Sequence, residues 1–286
     1  MADHLVKATA SGVRAFAAVT TDLCEEARRR HDCYPVAAAA LGRTMTAALL
    51  LAANLKTEEA ITVRIAGEGA LGAVVADASP QGFVRGYVSN PHVDLPLNNG
   101  KLDVGGAVGP GQIHVTRFTG LKHPFTGSVP LVSGEIAVDV ASYLLVSEQT
   151  PSTVALGVLV NPDLTVAAAG GFMVQAMPGA EDEVLAQVER NLEGLAPVSE
   201  LISQGEDASA ILKRIFAGLP ATVFEPTTAT FYCHCSDDRI ETMLVSLGRK
   251  ELAELVLEGQ AEIRCHFCGE AYQVGRERLK ELHDLA

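Results

Sequence analysis

Positive charge is short in this chain: 22 Lys and Arg stand against 35 Asp and Glu, a formal charge of −13. Phosphate recognition needs a cationic footprint, so a nucleic-acid partner is not expected. An uninterrupted apolar run of membrane length is also missing. The richest stretch, Pro35 to Leu55, carries Arg43 and reads as a buried Ala/Leu helix, so no membrane partner is expected. Met1-Ala2-Asp3-His4 has neither a basic nor an apolar leader character. With six cysteines, that points to a reducing cytoplasm, where clustered thiols mean metal or redox chemistry more often than permanent staples. Gly170-Gly171 is not followed by the Gly-Lys-Ser/Thr of a phosphate loop and reads as a bulge or turn. None of the eight histidines is followed by x-Glu, which removes the zinc-deaminase reading.

What is present is an apolar fraction of 48% with 20% charge, enough to bury a core in one to three domains. The pattern predicts an α+β fold in three parts. Residues 1–177 read as an antiparallel-sheet domain with packed helices. A strand-like opening covers Leu5 to Thr21, a helix capped by Asp22 runs to Arg30, and Tyr34-Pro35 opens the Ala-rich helix. Short β-branched runs follow at Ile61–Ile65, Leu71–Val75, Gly82–Val88 and Ile113–Phe118. A helix is expected over Ser133–Val146, and strands over Thr153–Val160 and Leu164–Ala169.

Residues 178–230 are acidic, with apolar positions at helical spacing: Val184, Val188, Leu192 and Leu195, then Ile211, Leu212, Ile215, Phe216 and Leu219. Short helices broken by Gly194, Pro197, Gly205 and Gly218 are not stable alone, so this segment is expected to be a metastable helical linker. Residues 231–286 form a small third part with little core of its own. In it Phe231–Cys233 reads as a strand, with helices at Asp237–Leu247 and Lys250–Leu257 and a strand at Ala261–Arg264.

The most constrained pattern lies in that third part: Cys233-His234-Cys235 and Cys265-His266-Phe267-Cys268, followed by Gly269. In an extended segment, residues two apart project from one face, so Cys233 and Cys235 can reach one ion. Cys-x-x-Cys-Gly has the shape of a zinc knuckle. Cys233, Cys235, Cys265 and Cys268 are therefore the candidate ligands of one Zn²⁺. Four thiolates close the shell and leave no place for a substrate water, which disfavours catalytic zinc. His234 and His266 lie between ligands and read as solvent-facing; Cys24 and Cys33 read as ordinary buried residues. A permanent zinc staple and a redox-sensitive zinc site both fit the spacing. A thiol–disulfide oxidoreductase using Cys265-x-x-Cys268 is the rival from another class, but such a motif should open a helix, and here a strand-like run precedes it. A zinc ribbon on nucleic acid is weakened by the charge.

These residues resemble the heat shock protein 33 family of redox-regulated, ATP-independent holdase chaperones. The likeness is carried by Phe231-x-Cys233-x-Cys235-Ser236 and by Gly259-Gln260-Ala261-Glu262-Ile263-x-Cys265-His266-Phe267-Cys268-Gly269-Glu270-x-Tyr272. Upstream, Gly86–Pro91, Ser147–Ser152, Ala169–Pro178 and Ala40–Thr44 extend it along most of the chain. The resemblance implies a non-enzymatic chaperone that binds unfolding client proteins under oxidative stress. It also implies zinc on the four cysteines in an inactive reduced form. Oxidation would then form Cys233–Cys235 and Cys265–Cys268 disulfides, release zinc, unfold the linker and yield an active homodimer.

Overall fold

The computed structural model describes residues 2–286. They divide into two compact units, one ending at Tyr232 and the other spanning Cys233–Ala286. The first unit runs β1 (His4–Ala10), β2 (Val13–Val19), α1 (Thr21–His31), α2 (Pro35–Ala52), β3 (Ala60–Gly67), β4 (Ala73–Ala78), β5 (Phe83–Val88) and α3 (Val104–Val108). It continues with β6 (Gly111–Phe118), β7 (Phe125–Pro130), α4 (Ala137–Val146), β8 (Ser152–Val160), β9 (Val166–Ala176), α5 (Asp182–Glu193), α6 (Val198–Ser203) and α7 (Ala208–Ile215). Three two-residue strands close it: β10 (Thr222–Val223), β11 (Thr227–Thr228) and β12 (Thr230–Phe231).

Two sheets result. One is ordered β10-β1-β2-β9-β8, with β11 also on β1; the other is β12-β5-β4-β3-β6-β7. Every pairing is antiparallel except β12 on β5. The expected α+β class is met, with two sheets in place of one. The Ala-rich helix α2 packs against strands of both sheets, so 16 of its 18 residues are buried. A helix apolar all round needs such a setting. By length and composition α2 could cross a membrane, but here it is a core helix.

Three local expectations are corrected. Leu5 to Thr21 is a hairpin and not one strand, because Ser11 and Gly12 take positive φ values of 40° and 84° and reverse the chain. The helix after Ser133 starts only at Ala137, since Asp139 turns back to accept hydrogen bonds from the amides of Val132, Ser133 and Ile136. Gly170-Gly171 is no turn: both sit inside β9, paired with β2 and β8. A Cβ on Gly170 would lie 2.3 Å from Ile202 Cδ1 of α6 and from Ala18 O. One on Gly171 would lie 2.7 Å from Ala155 O and 3.1 Å from Thr46 of α2. Helices press on both faces of this strand, and only glycine leaves room.

Residues 178–230 are not set apart from the first domain. Val6, Ala8, Ala15 and Ala17 alternate with Leu5, Phe16 and Ala18 along β1 and β2, so the first sheet is apolar on both faces. One face meets α2. The other is covered by Val184 and Val188 of α5, Leu201 and Ile202 of α6, and Ile211, Leu212 and Ile215 of α7. Asp207 caps α7 by accepting from the Ala210 amide at 2.7 Å, and the Ala208 amide donates to His4 Nε2 at 3.3 Å. The apolar stripes read from the sequence are real, and what they lean on is the second face of the first sheet.

The second unit holds α8 (Asp237–Leu247), α9 (Arg249–Glu258), β13 (Gln260–Arg264), β14 (Ala271–Gly275) and α10 (Arg276–Leu285). Its core is seven buried apolar residues, among them Leu244, Leu252 and Leu279.

Candidate metal centre

The β13–β14 hairpin positions half of the site. Cys265 follows the last residue of β13, its amide donates to Glu270 O at 2.9 Å, and the Gly269 amide donates to Cys265 O at 2.8 Å. Gly269 sits at φ 71°, a backbone state that side chains with a Cβ rarely adopt. This is the tight turn that brings Cys265 and Cys268 to one side. The other half comes from the segment before α8. Regular pairing stops at Phe231, so the strand expected to include Cys233 ends two residues earlier. Ser236 caps α8 by accepting from the Arg239 amide at 3.3 Å, which fixes the chain just past Cys235.

The four sulfurs converge. Cys233 Sγ lies 3.7 Å from Cys265 Sγ, Cys235 Sγ lies 3.3 Å from Cys268 Sγ, and all four are within 4.8 Å of one another. Tetrahedral zinc with Zn–S near 2.3 Å needs sulfur–sulfur edges of about 3.8 Å, so the cage fits such an ion. Among the described residues, His234 and His266 fall outside this group, which consists of the four cysteines. Cys268 is buried, and the other three are half-buried.

Without a cation the cage resists ionisation. Burial pushes the Cys268 thiol well above its ordinary range, with further upward pressure from its sulfur neighbours Cys235 and Cys265. Cys235 is also raised, mainly by burial, against a hydrogen bond from Tyr272 that favours its thiolate. A bound dication reverses this balance by stabilising all the thiolates together. Tyr272 was visible in the sequence only as a motif letter; its register opposite Ile263 brings its hydroxyl within hydrogen-bonding reach of Cys235.

Cys24 and Cys33 lie in the first unit. Burial raises both to about 12, and Cys24 donates to Thr20 Oγ1 at 3.7 Å.

The sequence profile of the Hsp33 protein family matches residues 3–275. The chain belongs to the heat shock protein 33 family. Among its relatives in that family, the 33 kDa chaperonin of Desulforamulus reducens is 51% identical, over 99% of this chain and 97% of the relative. The 33 kDa chaperonin of Bacillus subtilis is 49% identical, over 99% and 98%. The crystal structure of the 33 kDa chaperonin from Thermotoga maritima superposes with a TM-score of 0.92 at 39% identity, covering 99% of this chain and 98% of that one. The family expected from the cysteine motifs is thus the one found.

Proposed function

We propose that this member of the heat shock protein 33 family is a cytoplasmic, non-enzymatic holdase, inactive while reduced and switched on by oxidants. The observation that carries the reading is the meeting of four sulfurs within 4.8 Å in a unit with only seven buried apolar residues. Zn²⁺ on Cys233, Cys235, Cys265 and Cys268 would supply a structural cross-link on the order of 10–16 kcal/mol, which such a core cannot replace.

The residues do the rest. Peroxide converts one thiol of a pair to a sulfenic acid and leaves as water. The second thiol then displaces another water to close the disulfide, so each pair gives up two electrons to one peroxide. Once the cage opens, loop closure favours partners near in sequence: Cys233 with Cys235 and Cys265 with Cys268, because 29 residues separate the two halves. In the reduced cage all four sulfurs lie within 4.8 Å of one another, so the cage by itself does not single out the local pairs. Disulfide sulfurs are no longer anionic ligands, so the four-sulfur shell is lost. β12 ends two residues before Cys233, so disorder beginning at the cysteines starts next to the strand that ends the 178–230 segment. Release of α5–α7 would uncover the apolar face of β1 and β2 for unfolded clients and for a second copy of the chain. The oxidoreductase reading gains nothing from the geometry, since Cys265 and Cys268 sit in a hairpin turn and not at a helix start.

The test is zinc content, free thiols and suppression of client aggregation, before and after mild peroxide with heat. Reduced protein should hold about one zinc and leave the client to aggregate. Oxidised protein should hold none and suppress aggregation, with mass spectrometry reading the two local disulfides. Full activity of the zinc-loaded, reduced protein would overturn the proposal.

A further inference from the structure

In a chain with 35 acids, there is none between Asp103 and Glu135. That gap contains the β6–β7 hairpin, whose tip is Phe118-Thr119-Gly120-Leu121-Lys122-His123-Pro124-Phe125. Phe118, Leu121 and Phe125 are 45%, 64% and 62% exposed, although the chain has only nine phenylalanines in all. Lys122 and His123 are exposed between them. Arg117, the other cation of the hairpin, is spent on Glu148.

β7 also ends its sheet. The Leu131 amide donates to Gly111 O, and by the antiparallel alternation Val129, Gly127 and Phe125 face β6. The backbone groups of Thr126 and Ser128 therefore point away from the sheet, and both residues are exposed. A free edge, an apolar tip and local positive charge on an acidic protein coincide in one hairpin. A free strand edge is a template for extended chain.

We propose that the β6–β7 hairpin is a docking surface for an extended polypeptide whose apolar side chains are flanked by acidic ones. The segment adds alongside β7, takes backbone hydrogen bonds from Thr126 and Ser128, lays its apolar side chains on Phe118, Leu121 and Phe125, and brings its acids to Lys122. Positive charge at this point also counters the repulsion that a chain of −13 imposes on acidic partners. This deepens the holdase reading and rests on it for the partner's identity. The hairpin is exposed in the thiol form, so it makes a weak first contact, and the face freed by α5–α7 adds the second contact that turns capture into holding.

The experiment measures anisotropy of two labelled ten-residue peptides on the full-length reduced protein at low salt. One has a Val/Leu centre flanked by Asp pairs, the other the same centre flanked by Lys pairs. The Asp peptide should bind about tenfold tighter, the preference should invert in Lys122→Glu, and Leu121→Ser/Phe125→Ser should lose about tenfold. These side chains are exposed, so a circular dichroism melt should match wild type. Equal binding of the two peptides, or unchanged binding by the double variant, would overturn the proposal. So would a double variant that changes sedimentation in place of peptide affinity, because the hairpin would then be an interface between copies. Zinc release and oxidant-dependent suppression by the wild type report separately on the redox reading. If those fail while the peptides still discriminate, the hairpin stands without the switch.

Discussion

Residues 178–219 and the cysteine unit are both short, helical and acidic, yet they solve the burial problem in different ways. The first has no core of its own and borrows one: Val184, Leu201, Ile211 and Leu212 are buried against the outer face of β1 and β2. The second is a separate unit with seven buried apolar residues and a four-sulfur cage. One depends on a neighbouring sheet and the other, on the proposed reading, on an ion, so loss of the ion undoes the second first and reaches the first only through it.

The largest expected effect separates the two directly. Chelation of zinc, or Cys268→Ser, should abolish amide-exchange protection across 233–286, because metal-linked folding energy is on the order of 10 kcal/mol. Protection in β2, β9 and α2 should persist. Equal loss in β2, β9 and α2 would mean that the cysteine unit and the sheets of the first unit fold as one.

Next in size is the borrowed core. Ile211 is fully buried, so Ile211→Ala should cost about 2–5 kcal/mol in urea unfolding. A cost below about 1 kcal/mol would place α7 among loosely held elements and not in a true second core.

A smaller effect comes from Asp3, which is 5% exposed and accepts from the amides of Leu23 at 2.7 Å and Asp22 at 3.1 Å. Burial outweighs these bonds and pushes its carboxyl up from 3.8 to about 6. A folded value above the unfolded one means that stability is fully present below about 3.8 and is lost as pH rises through about 6. The loss is on the order of 3 kcal/mol at pH 7. The urea midpoint of the first unit should therefore rise between pH 7 and pH 5, and Asp3→Asn should flatten that slope. The cysteine unit holds no such buried carboxylate among its described residues, and its stability should fall with acid as the thiolates of a zinc-loaded cage protonate.

The smallest effect concerns the remaining thiols. Cys24→Ala/Cys33→Ala should leave the oxidant response unchanged, since burial holds both thiols at about 12 and thiolate is the reactive form. Slower switching in that variant, read by free-thiol titration, would show that the first unit takes part in sensing.

Much of the architecture was legible locally. Pro35 opening an Ala- and Leu-rich run identified α2, and β-branched runs located β3, β5, β6 and β8 to within a few residues. The misreadings share one cause. Gly170-Gly171 carries turn composition, but packing of α6 and α2 on either side of β9 overrides that preference. β7 and the two-residue strands β10, β11 and β12 lack any periodic signal, because a partner strand defines them. For the site, spacing identified the four cysteines, whereas Tyr272 beside Cys235 emerged only from hairpin register.

Sequence alone determined which four cysteines could share an ion, the helical stripes of 178–219 and the family, because each is a pattern of residue type against position along the chain. Tertiary structure alone decided that those stripes cover the second face of the β1–β2–β9 sheet and that the acid-free hairpin ends its sheet. The reason is that periodicity specifies which face of an element is apolar, while the surface that receives it is set by long-range packing.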